Sequence, residues 1–294
     1  MNWGIASLLF ARALQRRADV EVPTSAAVNL FKNTLASAVF LIVFLALGEP
    51  WPAPEAWPWL VISGLFGFAI GDAIYLAALP LSGVQVVTMV SLVHVPATVC
   101  LDWMFLGRAL PLITLVWIAV VVAGVWLVVG EKRPGSTATR GTVRAGAILA
   151  LIAAVSQSVG VILGHEGMTG ASVWGGTLVR MIGGIGGALC IAAIVGLFRG
   201  SVTREYATIT RPLRTRSTLP ALTTAALFGS VIGLPLFHFA LRGLPSGVAS
   251  VLFATTPLFT LPLGFFFGER HGLRAVFGTL VGFAGVAGVV FSLS

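Results

Sequence analysis

Long apolar blocks alternate with short polar segments along the whole sequence. Ten blocks can be delimited, at residues 3–14, 29–47, 58–79, 83–106, 111–129, 145–163, 173–197, 219–240, 247–267 and 275–292. A helix needs about 20 residues to cross the ~30 Å hydrocarbon core of a bilayer. The pattern therefore predicts an all-α polytopic membrane protein with ten transmembrane helices. The first block is too short to span and contains Arg12. Either its helix is completed in another way or the sequence starts inside it, and we favour the second interpretation.

One stretch of the chain occurs twice. Leu65–Gly71 returns as Leu227–Gly233, displaced by 162 residues, and Pro96 returns as Pro257, displaced by 161. A repeat of this length inside an apolar chain is typical of transporters built from two related bundles.

The repeat divides the chain into two five-block halves. We assign residues 1–130 to the first half, 131–144 to a basic linker and 145–294 to the second half. An odd number of helices in each half gives the two halves opposite orientations in the membrane. We therefore expect two inverted five-helix repeats.

Composition supports a membrane protein and narrows its partners. Apolar residues make up 57% of the chain and charged residues 10%, where soluble domains have about 45–50% and about 25%. The net charge of +8 does not indicate nucleic-acid binding, because the arginines lie between apolar blocks and no nucleic-acid-binding module is recognisable. Cys100 and Cys190 lie inside apolar blocks without metal-site spacing, so they predict small core residues.

The distribution of cations predicts the orientation. Fourteen of the 18 Lys and Arg residues lie at the end of block 1 or in the segments after blocks 1, 5, 7 and 9, and only two lie in the segments after the other blocks. Positively charged loops face the cytoplasm, which places both termini outside. We expect a multi-pass protein of the cell (inner) membrane. The longest basic segments, 130–144 and 199–219, are interpreted as solvated linkers that contact anionic headgroups at most.

Asp72 is the clearest candidate for function, because an ionisable group inside a membrane span is costly and usually faces a cavity or a partner. Burial favours the neutral, protonated carboxyl group unless a cation pairs with it. The residue is therefore either a proton-coupling site or a structural aspartate. Tyr75 lies one helical turn further along. In the second half, Leu234 occupies the position of Asp72, and His238 occupies the position of Leu76. Asp72 and His238 are compatible with one cavity lined from both halves.

The fourth block carries a polar stripe. Thr88 and Ser91 share a face with Thr98 and Asp102, and His94 flanks that face. The stripe predicts either a cavity wall or interhelical hydrogen bonding. Pro96 removes a backbone hydrogen bond and predicts a kink, and Pro257 predicts its counterpart in the second half.

Two cations and one amide complete the candidate site. Lys32 and Arg180 occupy equivalent blocks of the two halves. They predict either attraction of an anionic or zwitterionic substrate, or charge pairing within a gate. Gln157 gives the sixth block a polar centre and is a candidate for the cavity wall. The sequence contains no HExxH, GxSxG, P-loop or CxxC signature, so we predict neither an enzyme nor a cofactor nor a metal site.

The chain resembles the EamA family of the drug/metabolite transporter superfamily. The resemblance is carried by the following features: Trp3-Gly4, Lys32 and Arg180, the glycines around Gly124 and Gly285, and the pattern Pro257…Gly268-Glu269 with its altered copy Pro96…Gly107-Arg108. It implies ten helices in two inverted halves, a central cavity, and secondary transport, often export, of small metabolites or toxic compounds. The chain departs from the family at Arg108, which replaces the usual glutamate. It also departs in its predicted external termini, since members are often described with cytoplasmic ones.

Residues and resemblance together predict a secondary active transporter. It would export a small metabolite, an amino-acid-like molecule or a toxic compound by alternating access, coupled to protons through Asp72 with help from His94 or His238. The alternatives are an uncoupled facilitator and, from another class, a multispan enzyme acting on lipid-linked substrates. The expected partners are the substrate, protons and the lipid bilayer. Either a monomer or a homodimer is compatible with the sequence.

Overall fold

A computed structural model of the protein describes residues 2–14, 24–107, 111–129, 140–210, 219–243, 263 and 272–292. All regular elements in these ranges are helices. In the first half they are α1 (Asn2–Leu14), α2 (Ser25–Leu47), a 3₁₀ turn (Pro54–Ala56), α3 (Trp57–Gly64), π1 (Leu65–Gly71), α4 (Asp72–Ser82), α5 (Val84–Ser91), α6 (His94–Leu106) and α7 (Leu112–Val129). In the second half they are α8 (Arg140–Met168), α9 (Val173–Phe198), α10 (Val202–Thr210), α11 (Leu219–Ala226), π2 (Leu227–Ile232), α12 (Gly233–Gly243) and α13 (Leu273–Phe291).

The predicted all-helical membrane architecture is confirmed. Seven helical segments of the described chain are long and apolar enough to cross a membrane, and two shorter apolar helices occur at Trp3–Leu14 and Leu112–Val128. Large apolar side chains are exposed on several of these helices, for example Phe198 and Leu273, each at 89%. Lipid, rather than water, is the solvent suited to such a surface. The ninth apolar block, which includes Pro257, lies outside the described residues except for Leu263.

Two assignments made from the sequence were wrong: the bounds of the sixth block and the interpretation of segment 199–219 as a linker. Helix α8 starts five residues before the sixth block and ends five after it. The apolar composition marks only the part of a helix that lies in the hydrocarbon core, whereas the helix itself continues beyond that core through charged residues. The segment 199–219 is also more than a linker, because it contains α10, which packs against α9. Tyr206 anchors this short helix by donating a hydrogen bond to the Leu189 carbonyl.

The repeated stretch of sequence has a distinctive backbone conformation. Both copies form π-helices, π1 in the first half and π2 in the second. Such segments leave some carbonyls without their usual partners and occur frequently at functional sites. The sequence repeat is therefore also a repeat of local structure.

The halves exchange contacts in a reciprocal way. The span α3–π1–α4 packs against α8 and α9 of the second half, while α11 and π2 pack against α1 and α2 of the first. Glycines permit this close approach. A Cβ atom on Gly64 would collide with the backbone carbonyl of Arg180, and one on Gly183 would collide with the Val61 backbone.

Helices α7 and α13, the last helices of the two halves, form a second contact between them. A Cβ atom on Gly124 would meet the backbone of Gly282 within 3 Å, so the two helices are in backbone contact there. At the end of this pair, the hydroxyl oxygens of Thr114 and Ser292 lie 2.8 Å apart. Interfaces of small residues are the usual way for helices to associate in a bilayer.

Candidate functional site

A cavity of about 50 Å³ lies between the two halves. Its polar lining consists of Asp72, His94, Gln157, Arg180 and His238. Its apolar lining includes Trp3, Phe68, Val161, Leu234 and Phe237. Asp72 and Leu234, which occupy the same position in the two copies of the repeat, both line this cavity, and so does His238.

Asp72 and Lys32 form a buried ion pair. Lys32 Nζ lies 2.5 Å from Asp72 Oδ2, and the two residues are 1% and 5% exposed. Gln157 Nε2 donates to the other carboxylate oxygen, Oδ1, at 3.2 Å. The pair joins α2 to the start of α4, and Gln157 joins both to α8. Asp72 is therefore a paired aspartate, and Lys32 lies behind it rather than on the cavity wall.

The π-helix positions the carboxylate, and neighbouring helices stabilise it. Asn29 Nδ2 donates to the Phe68 carbonyl at 2.7 Å, and Ser156 Oγ donates to the Phe66 carbonyl at 2.7 Å. Asn33 Oδ1 accepts a hydrogen bond from Lys32 Nζ at 2.8 Å. One face of α2 thus supplies both the cation for Asp72 and a donor for the π-helical backbone. Asp72 directly follows this supported segment.

Arg180 and His238 form a second polar cluster on the cavity wall. Arg180 Nη1 lies 2.5 Å from His238 Nε2. A guanidinium can only donate, so His238 Nε2 accepts and the imidazole is neutral. The ring proton is then on Nδ1, which donates to Thr177 Oγ1 at 2.5 Å, and the Thr177 hydroxyl donates to the Val173 carbonyl at 2.6 Å. This chain of hydrogen bonds determines the tautomer of His238.

A smaller cavity of about 20 Å³ adjoins the first and shares Trp3, His94 and Gln157 with it. Tyr75, Thr88 and Ser91 line it. Tyr75 is buried, its hydroxyl lies 2.8 Å from Ser7 Oγ, and its ring lies 6.1 Å from that of Trp3. The polar candidates are thus divided between two neighbouring cavities, with His94 and Gln157 at both.

The fourth span is interrupted just before Pro96. Helix α5 ends at Ser91 and α6 begins at His94. Pro96 has no N–H to donate to the Leu92 carbonyl, and that carbonyl instead accepts from the Val95 N–H at 3.1 Å. The interruption presents His94 to both cavities, with Nδ1 2.7 Å from the Ser91 carbonyl. Ser158 of α8 donates to the His94 carbonyl at 2.9 Å.

Sequence reasoning missed several members of the site. Trp3 lines both cavities, Ser7 contacts Tyr75, and Thr177 orients His238. Threonine and serine are common in apolar helices, where they bond to their own backbone, so they carry no signal by themselves. The Thr177 hydroxyl donates to the carbonyl of Val173, four residues earlier, and this local bond does not reveal a partner 61 residues away. Among the described residues, no group of three or more His, Cys, Asp or Glu is placed to hold a metal ion.

The fold and cavity define a helical membrane protein with two related halves and a polar, charged site between them. The chain belongs to the EamA-like transporter family, whose pattern matches residues 2–130 and again residues 144–291. The family resemblance of the sequence is thereby confirmed, and with it a multi-pass membrane transporter.

Solved structures extend the similarity of fold over the whole chain. One crystal structure, whose description names no function, has a TM-score of 0.59. It covers 99% of this chain and 96% of its own, at 17% sequence identity. That identity supports the fold alone. No curated protein matches the chain.

Proposed function

We propose that this protein is a secondary active transporter that exports a small polar or amphipathic metabolite by alternating access, coupled to protons. The observation that carries the proposal is the set of buried charges, Lys32, Asp72 and Arg180, around a cavity between two repeats of a membrane transporter fold. Buried ionisable groups in membrane spans are retained at a cost and mark transport pathways.

The Lys32–Asp72 pair is the proposed coupling element. Protonation of Asp72 neutralises the carboxylate and removes most of its attraction for Lys32. The cation then retains Asn33 as a partner, and the contact between α2 and α4 loses its strongest interaction. Proton binding would in this way loosen one helix contact next to the cavity, which links protonation to the change in access.

The repeated architecture supplies the proposed movement. Each half contributes a span with a π-helical centre that packs against the other half. In an inverted arrangement, rocking of one half against the other exposes the same cavity to opposite sides of the membrane. Asp72 and Arg180 would stay at the cavity wall in both states.

The first experiment identifies the cargo. Metabolites of cells and medium are profiled with and without overexpression, for wild type and for the double variant Lys32→Met/Asp72→Asn. The double variant is used because each single substitution leaves a buried charge without its partner. Glu55→Gln, at an exposed carboxylate, is the matched control. We expect a metabolite whose export is lost in the double variant and retained in the control. Full export by a folded double variant would contradict the proposed site.

The second experiment tests coupling. Purified protein is reconstituted into liposomes with the identified metabolite, and uphill movement is followed under an imposed pH gradient. We expect accumulation that a protonophore abolishes. Equilibration without accumulation would instead identify an uncoupled facilitator.

A further inference from the structure

We infer that the cargo of this cavity is a small organic monoanion whose carboxylate binds Arg180 and whose apolar body lies against the aromatic wall. The inference rests on the proposed transport function, because it names the chemical class of the substrate. Four observations carry it: the charge balance, the donors of Arg180, the space around the guanidinium and the apolar lining.

The charge balance of the site is positive. Lys32 and Asp72 cancel each other within their ion pair. Arg180 is 2% exposed and, within the described part of the chain, has no carboxylate within ion-pair distance. Its acceptors are the neutral His238 ring and the Gly160 carbonyl. Among the described residues, one buried positive charge therefore remains at the cavity, and a monoanion would balance it.

The donors of Arg180 are incompletely used. Nη1 donates to His238, and Nη2 reaches the Gly160 carbonyl only at 3.4 Å. Nε is buried and has no hydrogen-bond partner. An unsatisfied buried N–H costs about 1–3 kcal/mol, and more on a charged group. Two N–H donors of a guanidinium match the two oxygens of a carboxylate, which gives a short, charge-assisted pair of hydrogen bonds.

Gly164 makes room for the guanidinium of Arg180. A Cβ atom on Gly164 would lie 2.9 Å from Arg180 Cζ, which is closer than van der Waals contact, whereas one on Gly67 would lie 3.8 Å from Nη2, an ordinary contact. Any larger residue at Gly164 would displace the group. The position of Arg180 beside α8 and π1 is thus built into the backbone.

The apolar wall favours an organic anion over an inorganic one. The Phe68 ring lies 5.0 Å from Arg180 Cζ, and Phe237 and Leu234 line the same cavity. A zwitterion fits less well, because Asp72 already has Lys32 and Gln157 as partners and its charge is cancelled. A carboxylate attached to an apolar body satisfies both the charge and the lining.

The inference is tested by binding to the full-length protein in lipid nanodiscs, measured by calorimetry. The probes are acetate, hexanoate, benzoate and phenylacetate, each compared with its neutral amide. We expect at least one carboxylate to bind ten or more times more tightly than its amide. Equal binding of every acid and amide, or no binding by any acid, would overturn the inference without any variant.

Variants then locate the site. Arg180→Gln should abolish the preference for acid over amide. Arg180→Lys, which keeps the charge and loses the planar fork, should weaken acid binding by about tenfold. Arg199→Gln is the matched control, since that arginine is exposed and pairs with Glu205. A folded Arg180→Gln or Arg180→Lys protein with wild-type preference and affinity would contradict the assignment.

Transport assays separate this inference from the proposed function. If a carboxylate binds but does not cross liposome membranes, the substrate site stands and the transport proposal fails. If the metabolite found by profiling is transported but carries no carboxylate, the transporter stands and the monoanion inference fails.

Discussion

Lys32 Nζ lies 2.5 Å from Asp72 Oδ2. The two residues are 40 positions apart in the chain, and their contact joins α2 to α4. Both side chains are almost completely buried. The pair is a buried charged contact within the first half, and the second half contains a corresponding buried polar contact between Arg180 and His238. Lys32 and Arg180 lie in equivalent blocks of the two halves, but within the described ranges only Lys32 of these two has a carboxylate partner.

The ion pair predicts a large coupling between two substitutions. Lys32→Met or Asp72→Asn alone should destabilise the protein by about 3–5 kcal/mol, because each leaves a buried charge uncompensated. The double variant should lose much less. Thermal unfolding of purified protein in detergent checks the order of the melting temperatures. Equal losses that add in the double variant would contradict a direct pair.

The contact between α3 and α9 predicts opposite responses at two glycines of one helix. Gly183→Ala places a Cβ against the Val61 backbone and should destabilise by about 1–3 kcal/mol. Gly186→Ala meets no atom within 4 Å and should be neutral or stabilise by up to about 1 kcal/mol through helix propensity. Thermal unfolding of the two variants side by side provides the measurement. The packing described above is wrong if both behave alike.

Thr177 is predicted to orient His238. Thr177→Val removes the acceptor for His238 Nδ1 and should cost about 1–3 kcal/mol, because a buried donor is left without a partner. It should also weaken binding of the preferred carboxylate, since Arg180 and His238 are held in one chain of hydrogen bonds. Thr169→Val is the control, because the Thr169 hydroxyl donates to the His165 carbonyl at the exposed end of α8. Calorimetry with both variants checks the binding effect, and unchanged affinity in Thr177→Val would separate Thr177 from the site.

The proximity of Thr114 and Ser292 predicts a cross-link between the halves. Their hydroxyl oxygens are 2.8 Å apart, so cysteines at these positions should form a disulfide under mild oxidation. The double variant is made with Cys100 and Cys190 replaced by alanine, and cleavage within the linker followed by gel electrophoresis detects the link. Single-cysteine variants should show none. Separation of the fragments from the double variant would refute the α7–α13 contact.

The cation distribution predicts the orientation of the chain. A reporter fused after Ser294 should lie outside the cytoplasm, because the basic segments follow odd-numbered blocks. Paired phosphatase and fluorescent fusions distinguish the two sides. A fluorescent, cytoplasmic fusion would reverse the orientation and leave the fold unchanged.

The sequence by itself determined the class of fold and singled out many residues of the candidate site. Apolar blocks of membrane length leave few structures other than helices, because backbone groups in lipid must be satisfied within the chain. In such a background an ionisable residue is conspicuous, so Asp72, Arg180 and His238 could be selected without knowledge of their partners. The repeat showed where the halves diverge, at Asp72 against Leu234.

Only the tertiary structure decided which groups meet. Lys32 with Asp72, and Arg180 with His238, are pairs across 40 and 58 residues, and helix periodicity carries no information at that range. The π-helical centres also escaped prediction. In a π-helix each backbone hydrogen bond spans five residues, where in an α-helix it spans four, and the sequence pattern does not reveal this difference. The hydrogen bonds that stabilise π1 come from Asn29 and Ser156, which lie on other helices. The composition of each helix follows from its need to lie in lipid, whereas the partnerships of its polar groups follow from how the helices pack.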